Sequence, residues 1–208
     1  MSKPQITTVL FDYGGVLAEE GYQQGLFAIA RDNGLEPESF FNTTTEIIYN
    51  CGFVTGKSDE GQFWRLVREK TGISGDDATL TAEILSRFQL RPQMIDTVKK
   101  LRALKINTII LSDQTDWLDR LEQRDRFFHN FDKVFNSYHL GKTKRDPTLF
   151  TDTLQTLSIT ADQALFVDDN SGHIDRADAL GLNTHLFCEV DSFLTALADH
   201  LPAGGRRF

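Results

Sequence analysis

The sequence predicts a doubly wound α/β fold, a parallel Rossmann-like sheet with a small helical cap inserted after its first strand. Three observations carry this. Three apolar runs, ITTVLFD (6–12), NTIILSD (107–113) and QALFVDD (163–169), all end in aspartate and give way to polar residues and then a helical pattern. Continuous runs of this kind mark strands buried on both faces, and strand alternating with helix implies right-handed crossovers and a parallel sheet. Residues 22–90, by contrast, show helical periodicity and almost no strand signal.

The elements follow in order. After the first strand the chain turns through Gly14 and Gly15 and enters the insert. Within it, SDEGQFWRLVREKTG (58–72) reads as a helix with Ser58 as N-cap, Phe63, Leu66 and Val67 on one face, and Gly72 at its end. We expect residues 18–90 to form the cap, and residues 1–17 and 91–208 the α/β core. A helix over 92–104 leads into the second strand, KVFNS (133–137) is a weaker strand before the helix PTLFTDTLQTL, and NTHLFC (183–188) is a fifth strand. The aromatic run RFFHNFDKVF (126–135) is expected to pack under the sheet. Of Tyr22, Phe53 and Trp64, periodicity leaves open whether they line a pocket or fill the cap's core.

Composition narrows the partners. With 208 residues, 40% of them hydrophobic, the chain can bury a substantial core. Its net charge of -8 sets it against nucleic-acid phosphates and anionic membranes, so neither is expected as a partner. Cys51 and Cys188 fit no ligand or redox spacing and are expected as reduced thiols, which points to the cytoplasm. No signal peptide or membrane span is expected, and the tail PAGGRRF, with Arg206 and Arg207, reads as a solvated end.

In an open parallel sheet, ligands sit beyond the carboxyl ends of the strands. Asp12, Ser112, Asp113, Asp168 and Asp169 therefore belong together, with Lys144 in the loop after the fourth run. Carboxylates converging in this way repel one another unless cations sit among them, and a divalent metal with a lysine is the economical answer. Oxygen ligands without histidine or cysteine favour a hard cation such as Mg²⁺. The constellation describes phosphoryl transfer: Asp12 attacks phosphorus, Mg²⁺ and Lys144 neutralise the developing charge, and Ser112 holds an oxygen. Gly14 and Gly15 let backbone amides approach the phosphate. A competing role for Asp168 or Asp169 is to cap the helix that begins near Gly172. His139 and His173 are expected to be structural or exposed, and His185 to be a satisfied, half-buried residue.

Four segments in this order, VLFDYGGVL, ILSDQ, LGKTKRDPTLF and LFVDDNSGHIDRADALGL, resemble the motifs of the haloacid dehalogenase-like hydrolase superfamily, most of whose members are Mg²⁺-dependent phosphatases. The likeness covers nearly the whole chain, and a helical insert after the first motif matches the family's C1 cap. It implies Asp12 as nucleophile and metal ligand, Gly14 as a metal ligand through its carbonyl, and Ser112 and Lys144 as phosphate-binding residues. Asp169 would be the acidic metal ligand, with Asp168 bound directly or through water. The implied activity is hydrolysis of a small phosphorylated metabolite through an aspartyl phosphate.

The pattern breaks at one place. Family phosphatases carry a second aspartate two residues after the nucleophile as acid and base, and here that position is Gly14. The resulting DxG pattern resembles a glucose-1-phosphate phosphatase branch of the family, which points to small phosphosugars. Glu19, just beyond the turn, is the expected substitute acid, and Gly14→Asp is expected to speed esters with poor leaving groups. Asp113 stands where asparagine is common, and Arg145 where proline is common, either offsetting Asp113 or pointing into solvent. Two rivals remain: a metal-independent 2-haloacid dehalogenase using the same Asp12, and a phospho-ligand binding protein impaired in turnover.

Overall fold

The computed structural model describes residues 6–201, so the tail bearing Arg206 and Arg207 lies outside the described residues. Each of the five runs forms a strand: β1 (Thr8–Phe11), β2 (Asn107–Ser112), β3 (Lys133–Asn136), β4 (Ala164–Asp168) and β5 (Asn183–Leu186). They make one parallel sheet in the order β3-β2-β1-β4-β5. β1 is central, and Val9, Leu10 and Phe11 are fully buried. Alternate residues serve the two faces: Phe11, Ile110 and Val167 join the larger core, while Leu10, Ile109 and Phe166 join a smaller one on the opposite side. The chain builds outward from β1 through β2 to β3 and then crosses back to place β4 on the other side of β1. That reversal opens a crevice at the carboxyl ends of β1 and β4.

The insert after β1 holds four α-helices: α1 (Gly21–Asp32), α2 (Pro37–Asn50), α3 (Glu60–Thr71) and α4 (Asp77–Arg87). The chain enters and leaves them through a narrow neck, where Ala18 pairs with Leu90, Glu19 N–H donates to Gln89 O (2.9 Å) and Arg91 N–H donates to Leu17 O (2.9 Å). α3 ends at Gly72 with φ +74°, as expected, but its N-cap is Asp59, whose carboxylate accepts from Gln62 N–H (2.8 Å). Ser58, one residue early for that bond, directs its hydroxyl to Cys51 Sγ. Phe53 and Trp64 are fully buried within this core, and the Trp64 indole N–H donates to Thr81 Oγ1 (2.8 Å).

The remaining helices are α5 (Pro92–Ala103), α6 (Trp117–Asp125), α7 (Ser137–Leu140), α8 (Thr148–Leu157), α9 (Ser171–Asp178) and α10 (Val190–His200). Phe127, Phe131 and Phe135 are buried, in keeping with a packing role for their run. His185 packs on the Phe193 ring, but its Nε2 has no hydrogen-bond partner among the described residues, where a satisfied residue is expected. Cys51 and Cys188 are free. Among the described residues no helix is long and apolar enough to cross a membrane.

α1 and α4 meet at Gly25, where an added Cβ would lie 2.6 Å from the Ile84 Cα. Helix propensity favours alanine over glycine by about 1 kcal/mol, yet the obstacle here is backbone, and overpacking costs about 1–3 kcal/mol. Gly25→Ala should therefore lower the urea midpoint of unfolding, with a net loss of roughly 1 kcal/mol. A midpoint that rises would show that propensity wins and that the two helices are less tightly opposed.

Candidate active site

The crevice gathers one residue from each neighbouring strand end. Asp12 follows β1 directly, its N–H donating to Val167 O (2.9 Å), so the register with β4 fixes where the side chain starts. Its Oδ1 accepts from the Ser112 hydroxyl (2.5 Å) at the end of β2 and from the Tyr13 N–H (2.7 Å). Its Oδ2 lies 2.9 Å from Lys144 Nζ, which also donates to Asp168 Oδ2 (2.6 Å) at the end of β4. Lys144 is 0% exposed, so its ammonium is held by two carboxylates with no help from solvent.

Asp168 accepts on both oxygens. Its Oδ1 accepts from Asn170 N–H (2.8 Å), and His173 Nδ1 lies 3.3 Å from both oxygens. Asn170 caps α9 with its own side chain, so neither Asp168 nor Asp169 is spent on that helix. Asp169 accepts no hydrogen bond among the described residues. One oxygen each from Asp12, Asp168 and Asp169 fall within 4.8 Å of one another. Three carboxylates so close, with oxygen as the only donor type, suit a hard divalent cation. Gly15 makes the room: its φ is +75°, and an added Cβ would lie 1.9 Å from Asp169 Oδ2.

The titration of these groups follows from their crowding. Burial alone would lower the Lys144 ammonium, but Asp12, Asp168 and Asp113 reverse this and raise it. Burial pushes Asp168 up, yet Lys144 and His173 outweigh it and hold this carboxyl below its ordinary range. Asp12 is raised, by burial first and then by Asp168, against the pull of Lys144. Desolvation, then the charges of Asp12, Glu20 and Asp168, push Asp169 up to about 7.

The two glutamates after the turn part ways. Glu19 points to solvent and pairs with Arg91 at the neck (3.0 Å), away from the cavity lining, so the structure does not bring the expected acid to the site. Glu20 faces the site instead. Its Oε1 accepts from Gln23 N–H (3.0 Å) as the N-cap of α1, and its Oε2 lies 2.8 Å from where a Cβ on Gly14 would sit. The space vacated by a side chain at position 14 is thus filled by the Glu20 carboxyl, which burial pushes up to about 7. Position 14 has no spare volume, since Phe88 lies 3.2 Å from the same point.

Above the carboxylates opens a cavity of about 740 Å³, shared between the sheet edge and the helical insert. Tyr22, Phe41, Tyr49 and Trp117 supply its rings, and Gln23, Gln114 and Asn170 its amides. Tyr22 is therefore a lining residue, whereas Phe53 and Trp64 are core. His139 is exposed and paired with Asp119, but His173 is buried against Asp168 and belongs to the site. Sequence reasoning passed over it; its place one turn into α9, just after the acidic pair, is the signal that marks it.

Asp12, Glu20 and Asp169 all bind protons more tightly here than in an unfolded chain, so protons and a cation compete for this cluster. The stabilisation conferred by Mg²⁺ should accordingly grow as pH rises from 5 to 7.5, a window that ends just above the raised values. Melting temperatures with Mg²⁺ and with EDTA at both pH values measure this, and equal shifts at the two would count against the cluster as the seat of the cation.

The haloacid dehalogenase-like hydrolase family profile matches residues 6–181. Among curated proteins, the chain is 28% identical over 194 residues to Acyl-CoA dehydrogenase family member 10 of Mus musculus, covering 85% of this chain and 17% of that protein. It is 38% identical over 61 residues to Drimenol cyclase drtB of Aspergillus calidoustus, covering 29% of this chain and 12% of that one. The chain thus spans only a small part of each. Among solved structures, a HAD family enzyme of Bacteroides thetaiotaomicron in complex with magnesium and inorganic phosphate superposes with a TM-score of 0.68 at 22% identity, covering 91% of this chain and 98% of that one. L-2-haloacid dehalogenase of Xanthobacter autotrophicus superposes with a TM-score of 0.64 at 19% identity, covering 93% and 83%. At these identities the likeness is one of fold. With its profile match spanning the first four strands and the whole carboxylate cluster, the chain belongs to the haloacid dehalogenase-like hydrolase family.

Proposed function

We propose that the chain is a cytoplasmic, Mg²⁺-dependent phosphatase of a small phosphorylated metabolite, with residues 18–90 acting as its cap. The observation that carries this is the cluster of Asp12, Asp168 and Asp169 around Lys144, an acidic, oxygen-only site that needs more positive charge than one lysine gives. Asp12, Asp168, Asp169 and the Gly14 carbonyl would hold Mg²⁺, which supplies charge neutralisation for a phosphoryl group. The Bacteroides neighbour, bound to magnesium and phosphate, supports the same assignment.

Asp12 attacks phosphorus, forming a new O–P bond as the bond to the leaving oxygen breaks. Ser112 and Lys144 fix the carboxylate and bind phosphoryl oxygens as charge gathers on them. The Glu20 carboxyl gives its proton to the departing oxygen, then takes one back from the water that cleaves the aspartyl phosphate. A group poised near neutrality suits both directions of transfer. The helix N-terminus that binds its other oxygen holds it in place.

The dehalogenase alternative is less well supported despite its neighbour in fold. Tyr13, adjacent to the nucleophile, is buried between Phe88 and Phe127, with ring centroids 5.7 and 5.0 Å away, and does not line the cavity. Acidic Asp168 and Asp169 also call for a metal that halide displacement does not use. The binding-protein alternative drew its force from a missing acid, and the position of Glu20 beside Gly14 weighs against it.

Phosphate release from phosphomonoesters should require Mg²⁺ and vanish in Asp12→Asn; metal-independent halide release would favour the dehalogenase. Glu20→Gln should slow esters with poor leaving groups about 100-fold while sparing acyl phosphates, whereas Glu19→Gln should stay near the parent rate. Gly14→Asp should now impair the enzyme, because its Cβ meets Glu20 and Phe88 and its charge adds to the cluster; removing the Glu20 carboxyl in the same chain should restore part of the loss. Rates across a leaving-group series test all three variants, and a faster Gly14→Asp would undo the assignment of Glu20.

A further inference from the structure

The cavity changes sign between floor and wall. Its floor is the carboxylate cluster, but its wall carries Arg145 and Arg176. Arginines elsewhere, such as Arg65, Arg68, Arg87 and Arg102, pair with carboxylates. Arg31, Arg126, Arg145 and Arg176 have no carboxylate partner among the described residues, and of these only Arg145 and Arg176 line the cavity. Lys144 cannot serve as a spare cation, since Asp12 and Asp168 occupy it.

Arg145 is exposed but held in place. Its guanidinium carbon lies 3.4 Å from the centre of the Tyr49 ring. That ring is itself held: Tyr49 Oη donates to Asp113 Oδ2 (3.1 Å), and Asp113 Oδ1 accepts from the Lys144 N–H (2.8 Å). A closed chain thus runs from α2 through Asp113 to the lysine loop and back through the stacked arginine. Stacking covers one face of the guanidinium and leaves the in-plane N–H fork, which suits a carboxylate or phosphate. The fork donates to no described acceptor. Asp113, expected to be offset by Arg145, is instead the post on which the Tyr49 platform stands. Arg176, in the lining of the same cavity beside His173, is anchored by one nitrogen to Gly172 O (2.5 Å), and its remaining donors have no described acceptor.

A phosphoryl group bound at Asp12 already has its countercharges at the floor. Two further cations, one of them pre-oriented, are surplus for a neutral leaving group, and a chain of net charge -8 has no general excess of cations to explain them. We infer that the substrate carries a second anionic group on its leaving portion, a carboxylate or a second phosphate, bound by Arg145 and Arg176. This rests on the phosphatase reading and narrows it, away from a neutral sugar phosphate and towards a phosphorylated acid or a bisphosphate.

Binding to the Asp12→Asn protein with Mg²⁺ tests this without turnover. Titration calorimetry would compare 3-phosphoglycerate, fructose 1,6-bisphosphate and the singly charged-headed para-nitrophenyl phosphate, in Asp12→Asn alone and with Arg145→Leu or Arg176→Leu added. At least one of the first two should bind about tenfold more tightly than the third, and each arginine change should reduce that preference about tenfold. Which of the two gains identifies carboxylate or phosphate as the second group. No preference for either, or a preference that survives both arginine changes, overturns the inference. Phosphate release by the unmodified enzyme, measured beside it, judges the phosphatase reading separately: release from para-nitrophenyl phosphate with no binding preference leaves that reading standing and this inference refuted.

Discussion

Everything at the site depends on one buried ammonium. Lys144 has no contact with solvent, and removing an ion of that size from water costs several kcal/mol before any partner is found. Asp12 and Asp168 offset this, but only if both are within reach, and they come from different strands. The match of Phe11 with Val167 across β1 and β4 is therefore more than sheet pairing. A slip of one residue would turn every side chain to the opposite face and take Asp168 away from the buried lysine. The central strands are buried so completely that no such slip is tolerated, and this rigidity lets three carboxylates stay close enough to share a cation.

The insert contributes what the sheet cannot. The sheet end supplies Asp12, Lys144, Asp168 and Asp169, but the loop after β1 carries a glycine at position 14. The carboxyl beside that glycine comes from Glu20, the first residue before α1, aimed by the helix terminus it caps. The same cavity is also walled by Tyr49 from α2, tied to Asp113 in the core. Insert and core thus meet beside Gly14 and again at Tyr49.

The strands and their order of appearance were legible because a strand buried on both faces must be continuously apolar, and ITTVLFD and QALFVDD leave no other use for such runs. Asp12, Ser112, Lys144, Asp168 and Asp169 were legible because a parallel sheet brings its carboxyl ends together. What could not be read was direction within irregular chain. Glu19 and Glu20 lie between the turn and the first helix, where no period says which side chain faces in. Glutamate is also an uncommon N-cap, so nothing in the sequence marked Gly21 as the first helical residue. Asp59 displaced Ser58 for a related reason, since either residue can cap and only the backbone decides which is in place. The stacking of Arg145 on Tyr49 joins residues 49 and 145, and no local pattern encodes a contact of that range.

The neck has an implication for inheritance. Leu17 and Arg91 are hydrogen-bonded across the point where the helices enter and leave, so the core could be closed there by a short turn without moving its strands. Insertion points of this kind are where whole modules are gained, lost or traded between genes. Here the transferable piece begins just before Glu20 and includes the rings of Tyr22, Phe41 and Tyr49. Recognition of the leaving portion and the proton that releases it would travel together, so a lineage exchanging this module would acquire a new substrate and the means to cleave it in one event.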